Sequence, residues 1–129
     1  MKTILGLVFT FMLMIAAAPA YSGGVAMQMW KCEMDDDASE QDVKDRAAEW
    51  LKAAKTMKGG KDLEAYVNFP VAVNDTGESD LIFTVIAPSF EEWGRFWDSY
   101  GGSPAAAEDN KNDLVVCPDS AVWESYKVQ

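Results

Sequence analysis

Between Leu81 and Ala87 the chain reads Leu-Ile-Phe-Thr-Val-Ile-Ala, so that Leu81, Phe83 and Val85 alternate with Ile82, Thr84 and Ile86. In an extended chain these two sets stand on opposite faces. A strand apolar on both faces has to be buried on both. The segment therefore belongs at the centre of a sheet, and each side of that sheet needs a cover.

The flanking segments supply one cover. Val25 to Met34 alternates as a strand, with Trp30, Cys32 and Met34 set against Val25, Met27 and Met29, and both faces carry apolar groups. Asp35-Asp36-Asp37-Ala38-Ser39 breaks this strand and starts a helix, Ser39 standing three residues before Asp42 as a variant capping box. Val43, Ala47, Trp50, Leu51, Ala54 and Met57 then follow at helical spacing until Gly59-Gly60. Leu63 to Val73 alternates again, and Pro70 within it marks an edge strand or a bulge. A polar hairpin loop, 74–79, leads into the strand Leu81 to Ala87. Ser89 and Glu92 form a second capping pair, followed by Phe90, Trp93, Phe96, Trp97 and Tyr100 on one helix, closed by Gly101-Gly102. Ser103-Pro104-Ala105 reads as a short helical start. Leu114 to Cys117, a Pro-Asp-Ser turn and a last strand from Ala121 to Val128 complete the chain.

This order, β-α-β-β-α-β, predicts an α+β fold of the ferredoxin-like arrangement: an antiparallel sheet with two helices on one face. In that topology the fourth strand lies beside the first, the third is central and the second is an edge. The helices cover one face only. The other presents Ile82 and Ile86 with Met27 and Met29, a patch larger than a soluble monomer normally leaves open, which predicts a homodimer joined through that face.

Met1 to Ala20 carries one Lys, an apolar run from Ile4 to Ile15 and Ala-Ala-Ala-Pro-Ala, the pattern of a secretory signal peptide cut after Ala20. The run is too short to span a bilayer. The expected organisation is a leader, 1–20, and a single domain, 21–129, secreted or periplasmic. Cys32 and Cys117 are the only cysteines, and in an oxidising compartment they are expected to pair. The long loop they close gives an upper bound of about 4–5 kcal/mol in the chain-entropy account.

The formal net charge is −10 at pH 7, and loss of Lys2 with the leader makes it one unit more negative. Such a field repels phosphate backbones and anionic headgroups, so neither nucleic acid nor membrane surfaces are expected partners. There is no His, which excludes His-ligated metals, Ser-His-Asp and Cys-His nucleophiles. No motif calls for a metal or a cofactor, and none is expected.

On this element order and its aromatic second helix, the chain resembles the dimeric α+β barrel superfamily, which includes antibiotic-biosynthesis monooxygenase-like small domains. The resemblance covers nearly all of 21–129. It implies two sheets packed face to face as a barrel with an interior cavity. Haem-degrading members depend on a His ligand that this chain lacks, so that activity is not carried over.

Asp75-Thr76-Gly77 matches the catalytic triplet of aspartic proteases, but those enzymes hold it between apolar residues that desolvate the carboxylates. Here it lies between Asn74 and Glu78-Ser79-Asp80 and reads as a solvated turn. Asn74-Asp75-Thr76 is a glycosylation acceptor where the source glycosylates. Glu33 with Asp35-Asp36-Asp37 lacks the spacing and glycine of a calcium loop and suits the start of a helix. The aromatic set on the second helix reads first as core. Trp93 and Trp97 from that set, with Trp30, Tyr66, Asn68 and Arg95, are the candidate ligand-binding groups; Arg95 either orients an anionic or carbonyl-bearing ligand or pairs with Glu91 or Glu92.

Two functions follow. The first is a secreted, non-enzymatic dimer that holds a small apolar ligand between the sheet and the aromatic helix. The alternative is a cofactor-independent monooxygenase-like enzyme acting on a small aromatic or apolar substrate, which the resemblance implies. No catalytic residue is assigned.

Overall fold

The computed structural model describes residues 23–74, 77 and 79–129. The expected leader, Asp75 and Thr76 of the protease-like and glycosylation motifs, and the neighbouring Glu78 lie outside the described residues. Seven elements follow in order: β1 (Val25–Met34), α1 (Glu40–Ala54), β2 (Glu64–Asn68), β3 (Leu81–Ala87), α2 (Phe90–Asp98), α3 (Pro104–Asp109) and β4 (Val115–Ser125). The sheet order is β2-β3-β1-β4 and every neighbouring pair is antiparallel. This is the ferredoxin-like α+β arrangement, with β3 and β1 central.

Local chemistry sets the helix starts. Ser39 is extended at φ −97°, ψ 156°, its hydroxyl accepting from the Asp42 N–H while the Asp42 carboxylate accepts from the Ser39 N–H at 3.0 Å. The reciprocal pair satisfies two of the donors that a helix start leaves free. The hydrogen bonds from Ser39 also hold the Asp42 carboxyl below its ordinary value. Ser89 and Ser103 cap α2 and α3 by the hydroxyl alone, accepting from the Glu92 and Ala106 N–H groups without the reciprocal bond.

The pairing of β1 with β3 keeps the two faces that the alternation predicts. Trp30 opposes Phe83 and Cys32 opposes Leu81 on the helix-covered face, while Met27 opposes Ile86 and Met29 opposes Thr84 on the other. Under the helices Ala26, Leu63, Val85, Ala87 and Phe96 are buried with Trp50 and Ala54 in one cluster, continued by Cys32, Val43 and Leu81. Gly59, at φ +77°, lets the turn after α1 press on α2: a side chain there would meet the Glu92 carbonyl oxygen at 2.5 Å.

Boundaries differ from the sequence reading at several points, and the last strand ends at Ser125 rather than Val128. Helix α1 stops at Ala54 rather than running through Met57, with turns from Lys55 to Asp62. Strand β2 stops at Asn68, because Pro70 offers no N–H to a ladder; Val71 and Val73 continue the alternating pattern yet are 97% and 59% exposed. Helix α2 ends at Asp98, so Tyr100 stands beyond it. The Pro-Asp-Ser segment is no turn: β4 is continuous through Pro118, and the irregularity appears as a shift of register opposite Lys31 and Glu33. An edge strand accommodates Pro at such a bulge because no further strand needs its missing N–H.

Cys32 of β1 and Cys117 of β4 form a disulfide, 85 positions apart. No helix among the described residues is long and apolar enough to cross a membrane.

Candidate functional site

The three helices do not close over the whole sheet. Beside β1 and the start of β4 they leave a cleft of two chambers with shared walls, Trp50, Phe83, Asp109, Asn112, Val115 and Cys117. The inner chamber, about 100 Å³, adds Val43, Arg46, Leu81 and Cys32. The outer, about 320 Å³, adds Trp30, Trp97 and Tyr100. A space of that size holds a small ligand.

Each wall comes from a different element. Trp30 projects from β1 because its register with Phe83 puts both on the helix side, and the two rings are 5.7 Å apart. Helix α2 lays Trp97 against Trp30 at 5.9 Å and against Tyr100 at 4.6 Å. Helix α1 drives Trp50 edge-on into Phe83, 5.6 Å and 84°. These tilted and edge-to-face arrangements suit ring quadrupoles, so the aromatic wall is fixed by its own packing.

The polar groups are few. Trp50 Nε1 donates to Tyr100 Oη at 3.0 Å, and the Asp109 carboxylate lies near the same hydroxyl. Burial pushes the Tyr100 hydroxyl above its ordinary value; the Trp50 N–H opposes this and the nearby Asp109 carboxylate adds to it. Tyr100 is therefore a neutral donor at physiological pH. Asn112 holds the approach to β4, its Nδ2 donating to the Val115 carbonyl at 3.0 Å and its Oδ1 accepting from Leu114 N–H at 3.2 Å. Arg46 pairs with Glu49 at 3.2 Å and stands 3.9 Å from Glu108. Two buried N–H groups, Arg46 Nε and Trp97 Nε1, have no acceptor among the described residues.

The six ligand-binding candidates fall in three places. Trp30 and Trp97 meet in the outer chamber. Trp93 lies on the same side of the sheet but outside the cleft, where its Nε1 donates to Gln28 Oε1 at 3.0 Å. Arg95 is on the surface of α2, paired with Glu91 and Glu92 of its own helix, the second of the two roles considered for it. Tyr66 and Asn68 belong to the opposite face of the sheet: Tyr66 Oη donates to Glu64 at 2.6 Å, and Asn68 Nδ2 donates to the Ile82 carbonyl at 2.8 Å and to Thr84 Oγ1 at 3.0 Å. There they border a shallow apolar depression with Met27, Met29, Ile82 and Ile86.

Sequence reading did not assign Arg46, Asp109 or Asn112 to a site, and it treated Trp50 and Tyr100 as core. The helical phase of Trp50 signals burial without separating core from cleft. Asp109 and Asn112 sit in a polar stretch with no local mark of function. Of the acidic run, Asp35 Oδ1 accepts from the Asp37 N–H at 3.0 Å; no cluster of three or more His, Cys, Asp or Glu suited to a metal occurs among the described residues.

No family model matches the chain, and no curated protein matches it. Among solved structures it is similar to the Arabidopsis thaliana protein At3g17210, with a TM-score of 0.54 at 12% identity over 81% of this chain and 98% of that one. It also matches a dimeric ferredoxin-like protein of unknown function from Thermobifida fusca, TM-score 0.46 at 12% identity, over 83% of this chain and 93% of that one. The first likeness supports the fold.

Proposed function

We propose that this is a secreted binding protein, a homodimer that holds one small, largely apolar molecule per subunit in the cleft between sheet and helices. The observation that carries the reading is the cleft itself. Four aromatic rings, Trp30, Trp50, Phe83 and Trp97, wall a space of ligand size, and its tyrosine is kept protonated by burial. A raised Tyr hydroxyl donates hydrogen bonds and is a poor base, which supports binding over proton abstraction. Secretion is supported by the apolar leader with its small-residue end and by the disulfide.

The second copy answers the uncovered face. Met27, Met29, Ile82 and Ile86 form an apolar centre there, and Tyr66, Glu64 and Asn68 form a polar border, the usual anatomy of an interface. With a net charge of −10, copies repel at long range, so the contact is short-range and tightens as salt is added.

Native mass spectrometry of protein purified from its source tests both parts. The expected species is a dimer carrying a retained small molecule. A ligand-free monomer at micromolar concentration, confirmed by sedimentation at low and high salt, overturns the reading.

A further inference from the structure

The outer chamber of the cleft is lined by aromatic rings and an acid, and by no base. Trp30, Trp97 and Tyr100 stand in its wall and each is only partly buried, so each keeps accessible surface there. Their rings are tilted and not stacked, with 57° between Trp30 and Trp97 and 46° between Trp97 and Tyr100. Among the described residues the charged side chain of this wall is Asp109, exposed at the end of α3, and no Lys or Arg lines it. In the inner chamber the Arg46 guanidinium is already shared between Glu49 and Glu108, and the chain as a whole carries −10. An anion is repelled by the wall and by the chain, whereas a cation is drawn to both.

Hydrogen-bonding capacity narrows the class. Asn112 is satisfied at both ends, its amide donating to the Val115 carbonyl and accepting from the Leu114 N–H, and Tyr100 Oη already accepts from Trp50. A primary ammonium brings three N–H donors, each needing a partner, and leaving them bare is costly. A quaternary ammonium brings none. Its charge is spread over methyl groups that pack on rings, and the ring quadrupole attracts it, that of Trp most strongly.

Resting on the reading of the cleft as a ligand site, we infer that its ligand is an organic cation, a quaternary ammonium on a small apolar body, with the cationic head against Trp30, Trp97 and Tyr100 and beside Asp109. The body points toward the inner chamber, among Val43, Leu81 and Phe83.

Three probes of one shape and different charge test this by calorimetric titration of the intact protein at low ionic strength: phenyltrimethylammonium, tert-butylbenzene and benzenesulfonate. The cation is expected to bind about fivefold or more tightly than the hydrocarbon, and more tightly still than the sulfonate. Its binding moves the indole N–H resonances of Trp30 and Trp97, assigned by their loss in Trp30→Phe and Trp97→Phe. Asp109→Asn weakens the cation by about threefold or more and leaves the hydrocarbon unchanged, while Asp62→Asn, which removes an equal charge outside the lining of the cleft, has no such effect. A hydrocarbon bound as tightly as the cation, or a sulfonate bound tightest, overturns the cationic class while leaving the cleft a ligand site. A cation that moves neither indole, or that loses as much to Asp62→Asn as to Asp109→Asn, is held by the acidic surface at large and overturns the assignment too. Binding of none of the three overturns the ligand site as well.

Discussion

The two faces of the central strands are both largely apolar and end in opposite circumstances. On the helix side Ala26, Cys32, Leu81, Val85 and Ala87 are fully or almost fully buried. On the other, Met27, Met29, Ile82 and Ile86 are partly buried by strand neighbours alone, and Tyr66 and Trp123 are 48% and 57% exposed. Alternation decides which side chains share a face; it does not decide what covers them. One face is a core because α1 and α2 are attached to it by the chain, while the other has an apolar centre with no element among the described residues upon it.

The comparison is most exposed to failure at Phe96, fully buried beneath the helices. Phe96→Ala is expected to cost about 3–5 kcal/mol in urea unfolding; a loss under about 1 kcal/mol would mean that the helix side is not the core. The covalent tie of the same side comes next. Replacing Cys32 and Cys117 by Ser should lower stability by about 2–4 kcal/mol, and thiol counting on the unreduced, denatured protein should find no free thiol. On the opposite face the expected effect is of a different kind. Ile86→Lys changes the unfolding free energy of the isolated subunit by about 1 kcal/mol or less but converts dimer to monomer in sedimentation, whereas Phe96→Ala weakens folding first.

The smallest contrast lies in two tyrosines. Both Tyr100, under the helices, and Tyr66, on the open face, are raised above the ordinary value of 10.0, the first chiefly by burial and the second by its hydrogen bond to Glu64. Glu64→Gln should return Tyr66 toward that value in an ultraviolet titration and leave Tyr100 unmoved. For Tyr100 the folded state holds its proton longer than the unfolded chain does. Its contribution to stability is therefore complete below about pH 10 and is lost as pH rises through the raised value, and Tyr100→Phe should remove that alkaline slope.

Much of the scaffold was legible because its signals are local. Ser39 with Asp42 and Ser89 with Glu92 announce helix starts, and the two apolar sets of Leu81–Ala87 place β3 at the centre. The strand ends were less legible, since Val71 and Val73 keep the alternating pattern after Pro70 has ended the ladder, and a bulge allows β4 to pass straight through Pro118. The cleft was least legible. It joins Arg46 and Trp50 of α1 to Phe83, Trp97, Asp109 and Cys117, residues that only the tertiary fold assembles. Trp30 and Trp97 were found because large aromatics on facing elements have few other places to go, and Tyr66 and Asn68 were placed with them because alternation does not tell which of two apolar faces a helix will take.

The bridge between Cys32 and Cys117 also sets how the molecule bears tension. It closes α1, β2, β3, α2 and α3 into one ring and leaves two described arms, 23–31 and 118–129, zipped together from Val25 opposite Ser125 to Lys31 opposite Asp119. A pull on the two ends parts those rungs one after another and halts at the sulfur atoms, and the load reaches the rest of the ring through the pairing of β1 with β3. A protease cut in the exposed stretch 70–74 likewise leaves a single covalent molecule, which comes apart only when a reductant reaches the bridge.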